Sequence, residues 1–210
     1  MKIDMHCHSK FSHDNYLEPT ALIEQALKKE LDGVCFTEHF SYSASVDVDY
    51  IEVPDGFHVF RGLEISTNHG HVLVYGLKDD SWNRWSRHHF LDIFEVIKSV
   101  HDCGGICVAA HPFRGWDSIG EDMLKIDGFD AIETHNGRSP DSENDTAVEF
   151  AGEMNLLSIG GSDCHNVGQV GKAWTVFNNP VFTIEAAIEE IRKGNCQGMV
   201  LAEDVSKTGE

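Results

Sequence analysis

Two short stretches far apart in the chain share a pattern. Near the start stands Asp4-Met5-His6-Cys7-His8, and late in the chain Gly161-Ser162-Asp163-Cys164-His165. Each places two side chains that bind metal ions two residues apart, with a cysteine between them. On a strand, residues i and i+2 face the same way. His6 and His8 therefore aim together, Asp163 and His165 form a second such pair, and Cys7 and Cys164 turn away to pack as small hydrophobes. Neutral imidazole and carboxylate suit zinc, manganese or iron. The same residue types end other apolar runs, at Glu38-His39, Glu64, His111, Glu133 and His135, and His71 opens one. One His at a strand end is ordinary, but agreement between independent strands is not. About nine donors exceed the four to six positions of one ion, so two or three divalent ions are expected.

The elements that must position these residues are short apolar runs alternating with helical patterns. Strands are predicted at "KIDMHC", "DGVCFTEH", "FHVFRGLEI", "HVLVYGL", "ICVAAHP", "FDAIETHN" and "LLSIGGSD", with an eighth, edge-like one at "AWTVFN". Helices are predicted at "EPTALIEQALKKEL", where Pro19 suits the first turn, and near 87–102, with Phe90, Ile93, Phe94, Ile97 and Val100 on one stripe and Gly104-Gly105 stopping it. A third carries Ala147, Val148, Ala151 and Met154. A fourth starts on Thr183 as N-cap, carries Ile184, Ala187, Ile188 and Ile191 and ends at Gly194. Apolar strands alternating with helices predict an α/β fold with a parallel sheet covered on both faces. Seven such strands in 210 residues point to one domain, a small β/α barrel. An open doubly wound sheet is the alternative, but no glycine-rich loop follows the first strand. In a parallel barrel the strand ends converge on one face, which gathers the donors.

Composition narrows the partners. The formal net charge is −19, with 41% hydrophobic and 24% charged residues. Such a surface argues against coating duplex nucleic acid, which takes clustered Lys and Arg; a small phosphorylated substrate stays open, because bound cations invert local charge. No apolar run reaches a membrane span, and "MKIDMHCHS" lacks a signal-peptide core, so a cytoplasmic protein without membrane association is expected. The six cysteines form no C-x-x-C pair and read as free, mostly buried thiols, whereas thirteen histidines are many for this length.

In order, "DMHCHS", "FTEH", "GLEI", "AHP" and "GSDCH" resemble the motifs of the PHP (polymerase and histidinol phosphatase) superfamily, over residues 2 to about 194. The resemblance implies an irregular seven-stranded β/α barrel, a trinuclear metal site and phosphoester hydrolysis. Carried over by position, His6, His8 and Asp163 would hold one ion, with Glu64 bridging to a second completed by His71 and His111. His39 and His165 would hold a third with one ligand from "SHDN", either His13 or Asp14, of which Asp14 matches better. "TEH" departs from the family's commoner "TDH", which makes Glu38 a supporting group rather than a ligand. His69 is read as a loop residue.

Hydroxide shared between two cations would attack phosphorus, with Glu64 bridging. Arg114 is the candidate phosphate clamp, against an ion pair as its alternative. His135 is a candidate proton donor to the leaving group, against a solvent-facing strand end. Glu133 more simply braces loops. Two loops are candidates for substrate choice: the long "SYSASVDVDYIEVPDG", and "DDSWNRWSRHHF", where Trp82, Arg84, Trp85 and Arg87 offer either a grip on a nucleoside or core packing. The expected function is a metal-dependent phosphoesterase acting on a small phosphorylated metabolite or nucleotide. Its alternatives are a histidinol-phosphate phosphatase, an amidohydrolase and a non-catalytic metal-binding module.

Overall fold

The computed structural model describes residues 1–84 and 91–201. Nine strands form one sheet among these residues, in the order β7-β6-β5-β4-β3-β2-β1-β8-β9. They are β1 (Lys2–Cys7), β2 (Gly33–Phe36), β3 (His58–Thr67), β4 (Gly70–Tyr75), β5 (Ile106–Ala109), β6 (Ala131–Asn136), β7 (Ser158–Gly161), β8 (Ala173–Phe177) and β9 (Cys196–Val200). The helices are α1 (Pro19–Lys28), α2 (Ile93–Asp102), α3 (Asp141–Met154) and α4 (Ile184–Arg192). The eight expected strands are present, and β9 is additional. Residues 87–90 of the expected second helix, Phe90 included, lie outside the described residues. The helix that is seen starts on an Asp92 cap, whose carboxylate accepts from the Phe94 and Glu95 N–H groups. Its buried stripe is Ile93, Val96, Ile97 and Val100, and Phe94 is exposed. Thr183 caps α4 as expected, accepting from Ala186 N–H.

The sheet curls until its β7 end reaches β1. The first residues of β1 pair antiparallel with β8. Its last residues meet β7: Asp163 N–H donates to His6 O at 2.7 Å, His8 N–H to Cys164 O at 3.3 Å, and Cys7 bridges to Cys164 in parallel. Gly161 permits this closure, because a Cβ there would lie 2.3 Å from His6 Cβ. The barrel departs from the all-parallel expectation at β4. A tight turn at Thr67–Gly70 sends β4 back antiparallel to β3, and it pairs antiparallel with β5 as well. The start of β4 therefore lies beside the ends of its neighbours, which is how a residue that opens a strand, His71, joins residues that close them.

Three apolar clusters hold the fold. Met5, Leu73, Tyr75, Ile106, Val108, Ala131 and Ile159 fill the barrel floor. Leu63, Ile65, Val72, Val74 and Ile132 face outward onto α2 and α3. Leu22, Ile23 and Ala26 of α1 cover Val34, Phe36, Cys7 and Cys164. Cys7 and Cys164 are thus buried thiols packed as hydrophobes, as their spacing requires, and all six cysteines are free. Among the described residues no helix is long and apolar enough to cross a membrane.

Two bulges decide which side chains reach the barrel mouth. In β1 the register slips between Asp4 and Cys7, three residues opposing two of β2. Without that extra residue, Met5 and His6 would face opposite ways. With it, Met5 joins the floor cluster and His6 and His8 aim into the mouth above it. In β6 the register slips between Glu133 and His135. Glu133 faces in, His135 is turned out, and Asn136 takes the inward place.

Candidate metal centre

Glu64, at the mouth end of β3, is the hub. Its Oε1 lies 2.9 Å from His71 Nδ1 and 3.1 Å from His111 Nε2. Its Oε2 lies 3.1 Å from His8 Nε2, 3.4 Å from His39 Nδ1 and 3.5 Å from His6 Nε2. Five imidazoles from four segments therefore surround one carboxylate that is 1% exposed. Asp163, just past β7, approaches the same cluster. Its Oδ1 is 3.4 Å from His8 Nε2 and 3.7 Å from His6 Nε2. Asp14 closes the outer side, with Oδ2 3.2 Å from His165 Nε2 and 3.6 Å from His39 Nε2. His13 is exposed, its ring centroid 5.6 Å from that of His39, so of the two candidates in "SHDN" it is Asp14 whose carboxylate meets the two imidazoles.

The donors sort into three sets whose ligand atoms lie within 4.8 Å of one another: His6, His8 and Glu64; Glu64, His71 and His111; and His8, His39 and His165. These residues fit divalent cations on two observations. The buried Nδ1 of His111 has no hydrogen-bond partner, and that of His39 has only the 3.4 Å approach of Glu64 Oε2, which is not aligned as a hydrogen bond; buried polar atoms rarely keep such a state. In addition, His6 Nε2 faces His8 Nε2 at 3.0 Å, two ring nitrogens for which a shared cation is a natural partner.

Charges reinforce the arrangement. Burial alone would push the Glu64 carboxyl up, but His71 and His6 hold it well below the usual range. Asp163 is likewise held low against its burial, by His6 and His8. Burial opposes a charged His8, yet Asp163 and Glu64 raise it to about 10. Burial is also the largest influence on His6, where it is overcome by Glu133, Asp163 and Glu64. His111 goes the other way, lowered by burial with Arg114 adding to the effect. His165 and then His39 keep Asp14 ionised by lowering its pKa. Without cations Glu64, Asp163 and Asp14 favour their charged forms and His6, His8 and His71 their protonated forms; cations would take the place of those protons. His111 and Asp163 also hold positive φ angles of 29° and 52°, backbone strain of the kind that persists at functional sites.

A supporting layer fixes the donors. Glu133 receives His6 Nδ1 at 2.9 Å, His111 N–H at 2.8 Å and Asn136 Nδ2 at 3.0 Å, the bracing expected of it. Glu38 accepts from Ser9 and Ser12 hydroxyls at 2.5 Å each, and Ser12 Oγ lies 3.3 Å from His8 Nδ1. It contacts no metal-set nitrogen directly, as a supporting group should. His69 sits in the β3–β4 turn, paired with Asp122 at 3.1 Å.

Three expectations change. Arg114 is 6% exposed, with Nη1 2.7 Å from Asp163 Oδ2 and Nη2 3.0 Å from His111 Nε2. Its fork orients those two residues, which is the ion-pair alternative rather than the free clamp. His135, turned out by the β6 bulge, meets Thr134 Oγ1 at 2.9 Å and packs beside Gly198 of β9; it does not reach the donor sets. In "DDSWNRWSRHHF", Trp82 is core and Arg84 pairs with Asp102, while Trp85 and Arg87 lie outside the described residues. The other candidate loop winds into a 3-10 stretch (Tyr42–Tyr50) in the place of a crossover helix, its Tyr42 buried under Arg61. Sequence reasoning missed Arg138, whose Nη1 is 3.0 Å from His165 Nδ1 and 3.4 Å from Asp163 Oδ1, and Asn136, 3.5 Å from Asp163 Oδ2. Their signal was "HNGR", which ends β6 and opens the loop after it. The mouth itself is a cavity of about 140 Å³ lined by residues including Asp14, His39, Glu64, Arg114, Arg138, Asp163 and His165. A larger cleft of about 520 Å³ along the β3–β4 turn shares His71 and Asp117 with it.

Comparison with known proteins identifies the family and the fold. The family model for the PHP domain matches residues 4–113, and that for the PHP-associated region matches 141–196. An uncharacterized protein of Methanocaldococcus jannaschii is 27% identical over 147 residues, 65% of this chain and 82% of the relative. Among solved structures, a two-domain protein from Bacteroides vulgatus containing a predicted PHP-like metal-dependent phosphoesterase superposes with TM-score 0.71 at 20% identity, over 95% of this chain and 64% of that one. Endonuclease Q, in complex with a 27-mer duplex carrying an abasic lesion at the active site, gives TM-score 0.75 at 16% identity, over 93% of this chain and 57% of that one. The chain thus spans less than two thirds of both solved proteins. The second structure overturns the exclusion of duplex nucleic acid, because the same fold engages a duplex there. Net charge summed over a whole surface does not describe a mouth where Arg114, Arg138 and metal donors concentrate.

Proposed function

This chain belongs to the PHP domain family, and on that premise we propose that it is a metal-dependent phosphoesterase acting at the mouth of its barrel. Its substrate is a small phosphorylated metabolite or a nucleotide, phosphoesters within nucleic acid included. The observation that carries this reading is Glu64, both of whose oxygens are ringed by imidazoles at 2.9–3.5 Å. A carboxylate so placed suits a shared ligand, because its two oxygens serve different donor sets.

His6, His8, Glu64 and Asp163 are the residues that would hold one divalent ion. Glu64, His71 and His111 would hold another, and Asp14, His39 and His165 a third; zinc, manganese and iron all suit these donors. Cations held there would acidify water and draw charge from the phosphoryl oxygens. The chain's own residues do the rest. Arg114 keeps Asp163 and His111 in place through its two-pronged fork. Glu133 fixes the ring of His6 and the backbone of His111. Arg138 presents positive charge at the open edge of the cavity. The floor cluster beneath keeps water out of the barrel and gives the mouth a rigid base.

The test is turnover of p-nitrophenyl phosphate, its bis-ester and an amide panel by protein purified without chelator and supplied with zinc, manganese or iron. Ester turnover that disappears in Glu64→Gln and His111→Ala is the expected result. Amide turnover alone, or none with any metal, would overturn the reading.

A further inference from the structure

Trp116 is the residue at the mouth that neither the metal centre nor the core explains. It follows β5 in the segment His111–Asp117, lines the 140 Å³ cavity beside Asp14, Arg138 and His165, and is 54% exposed. Exposed tryptophan is uncommon without a reason, and this one is held firmly. The Arg114 guanidinium carbon lies 3.9 Å from its ring centroid, and that of Arg138 lies 5.7 Å away. Arg114 is itself locked by Asp163 and His111. The indole is therefore braced on one side by an immobile cation while much of its surface meets solvent. A ring fixed in advance loses little freedom when a ligand stacks on it.

Size sets the rest. The cavity is smaller than the roughly 300–1,000 Å³ of sites that enclose a whole small molecule. It accommodates a phosphoryl group among the donors, so the remainder of the substrate lies outside it, either along the rim that Trp116 and Arg138 form or in the adjoining 520 Å³ cleft that shares His71 and Asp117. Arg138, a quarter exposed, is the cation at that rim. Phe40, exposed next to His39, is engaged with the rings of His13 and His39 at 5.5 and 5.8 Å and does not line the cavity. Trp116 is left as the platform.

We propose that Trp116 and Arg138 form a nucleotide-recognition edge, in which a base stacks on the Trp116 indole while Arg138 contacts the phosphoryl group seated at the metal centre. The substrate class is then a nucleoside phosphoester, whether a free mononucleotide or the terminal nucleotide of a strand. This inference rests on the phosphoesterase reading and narrows it.

The experiment compares three probes on the metal-loaded full chain: adenosine 5′-monophosphate, ribose 5-phosphate and a short 5′-phosphorylated single-stranded oligonucleotide. Binding is measured by calorimetry alongside turnover. Either base-bearing probe should bind and turn over better than ribose 5-phosphate, and which one does so tells a free nucleotide from a strand end. Trp116→Ala should cut the favoured probe by about tenfold or more, in the range of base–aromatic stacking, through KM rather than kcat, and should leave ribose 5-phosphate nearly unchanged. Trp116→Phe should restore most of the loss. Arg138→Ala should weaken all phosphorylated probes together. Equal treatment of ribose 5-phosphate and the base-bearing probes, in wild type and in Trp116→Ala, would overturn the inference while leaving the phosphoesterase reading standing. Absence of turnover on every ester would sink that reading, and the binding comparison would still decide whether Trp116 selects a base.

Discussion

The floor and the mouth of this barrel are built from the same strands, a few residues apart, on opposite physical terms. Met5, Leu73, Ile106 and Ile159 fill the floor with apolar contacts, where removing surface from water stabilises the fold and no particular atom is indispensable. At the mouth, His6 and His8 follow Met5 on β1, and Glu64 stands across from Leu73 in the register of β3 and β4. There, buried acids and imidazoles hold one another, the ring of His111 keeps a nitrogen without a hydrogen bond, and His111 and Asp163 sit at positive φ. The difference teaches that the floor provides the stability which the mouth, strained and full of desolvated charge, draws on. Changes at the mouth should therefore move metal content and turnover, and changes on the floor should move stability alone.

The sharpest break in that contrast comes from Glu64→Gln. It removes a charge from a site contacted by five imidazoles, and turnover of p-nitrophenyl phosphate should fall by about 10³-fold, with metal content falling too. Next comes Glu133→Gln. It leaves every proposed ligand in place but loosens His6 and His111, and titration with manganese should show metal affinity about 10–100-fold weaker. Arg114→Lys keeps the charge but loses the fork on Asp163 and His111. We expect roughly a tenfold loss in kcat/KM, with the folded state retained by circular dichroism. At the other end stands Ile106→Ala on the floor. Thermal or urea unfolding should show about 2–5 kcal/mol less stability, while metal content and turnover per folded molecule match the wild type. A floor variant that stripped the metals, or a Glu133 variant that only lowered stability, would erase the distinction.

Much of this was legible in the sequence. Helix caps such as Thr183 use local hydrogen bonds that spacing reveals. The H-x-H pair ends a strand whose alternation says which side chains agree, whereas Asp163 and His165 lie past β7, with Asp163 at positive φ, and converge through the loop. What the sequence hid has a common physical cause. Strands buried on both faces are apolar throughout, so no pattern marks where the alternation slips. The bulge in β1 left the pairing of His6 with His8 intact, and that expectation held in geometry. The bulge in β6 exchanged His135 for Asn136, and the expectation for His135 did not hold. The reversal of β4 depends on how sharply Thr67–Gly70 turns, and β9, "CQGMV", has too little apolar periodicity to announce a strand. The role of Arg114 turned on burial, which spacing does not report. The exclusion of duplex nucleic acid took total charge as a guide to one small region.

The central claim is that residues from widely separated strands cage more than one divalent cation at the barrel mouth. Elemental analysis of the full chain, dialysed against manganese or zinc and then freed of loose ions, tests it most directly. The account predicts two to three ions per chain, one for each donor set that fills, with a loss of about one in His111→Ala and none in His101→Ala on α2, away from the mouth. Less than one ion per chain, or equal content in all three proteins, would contradict it.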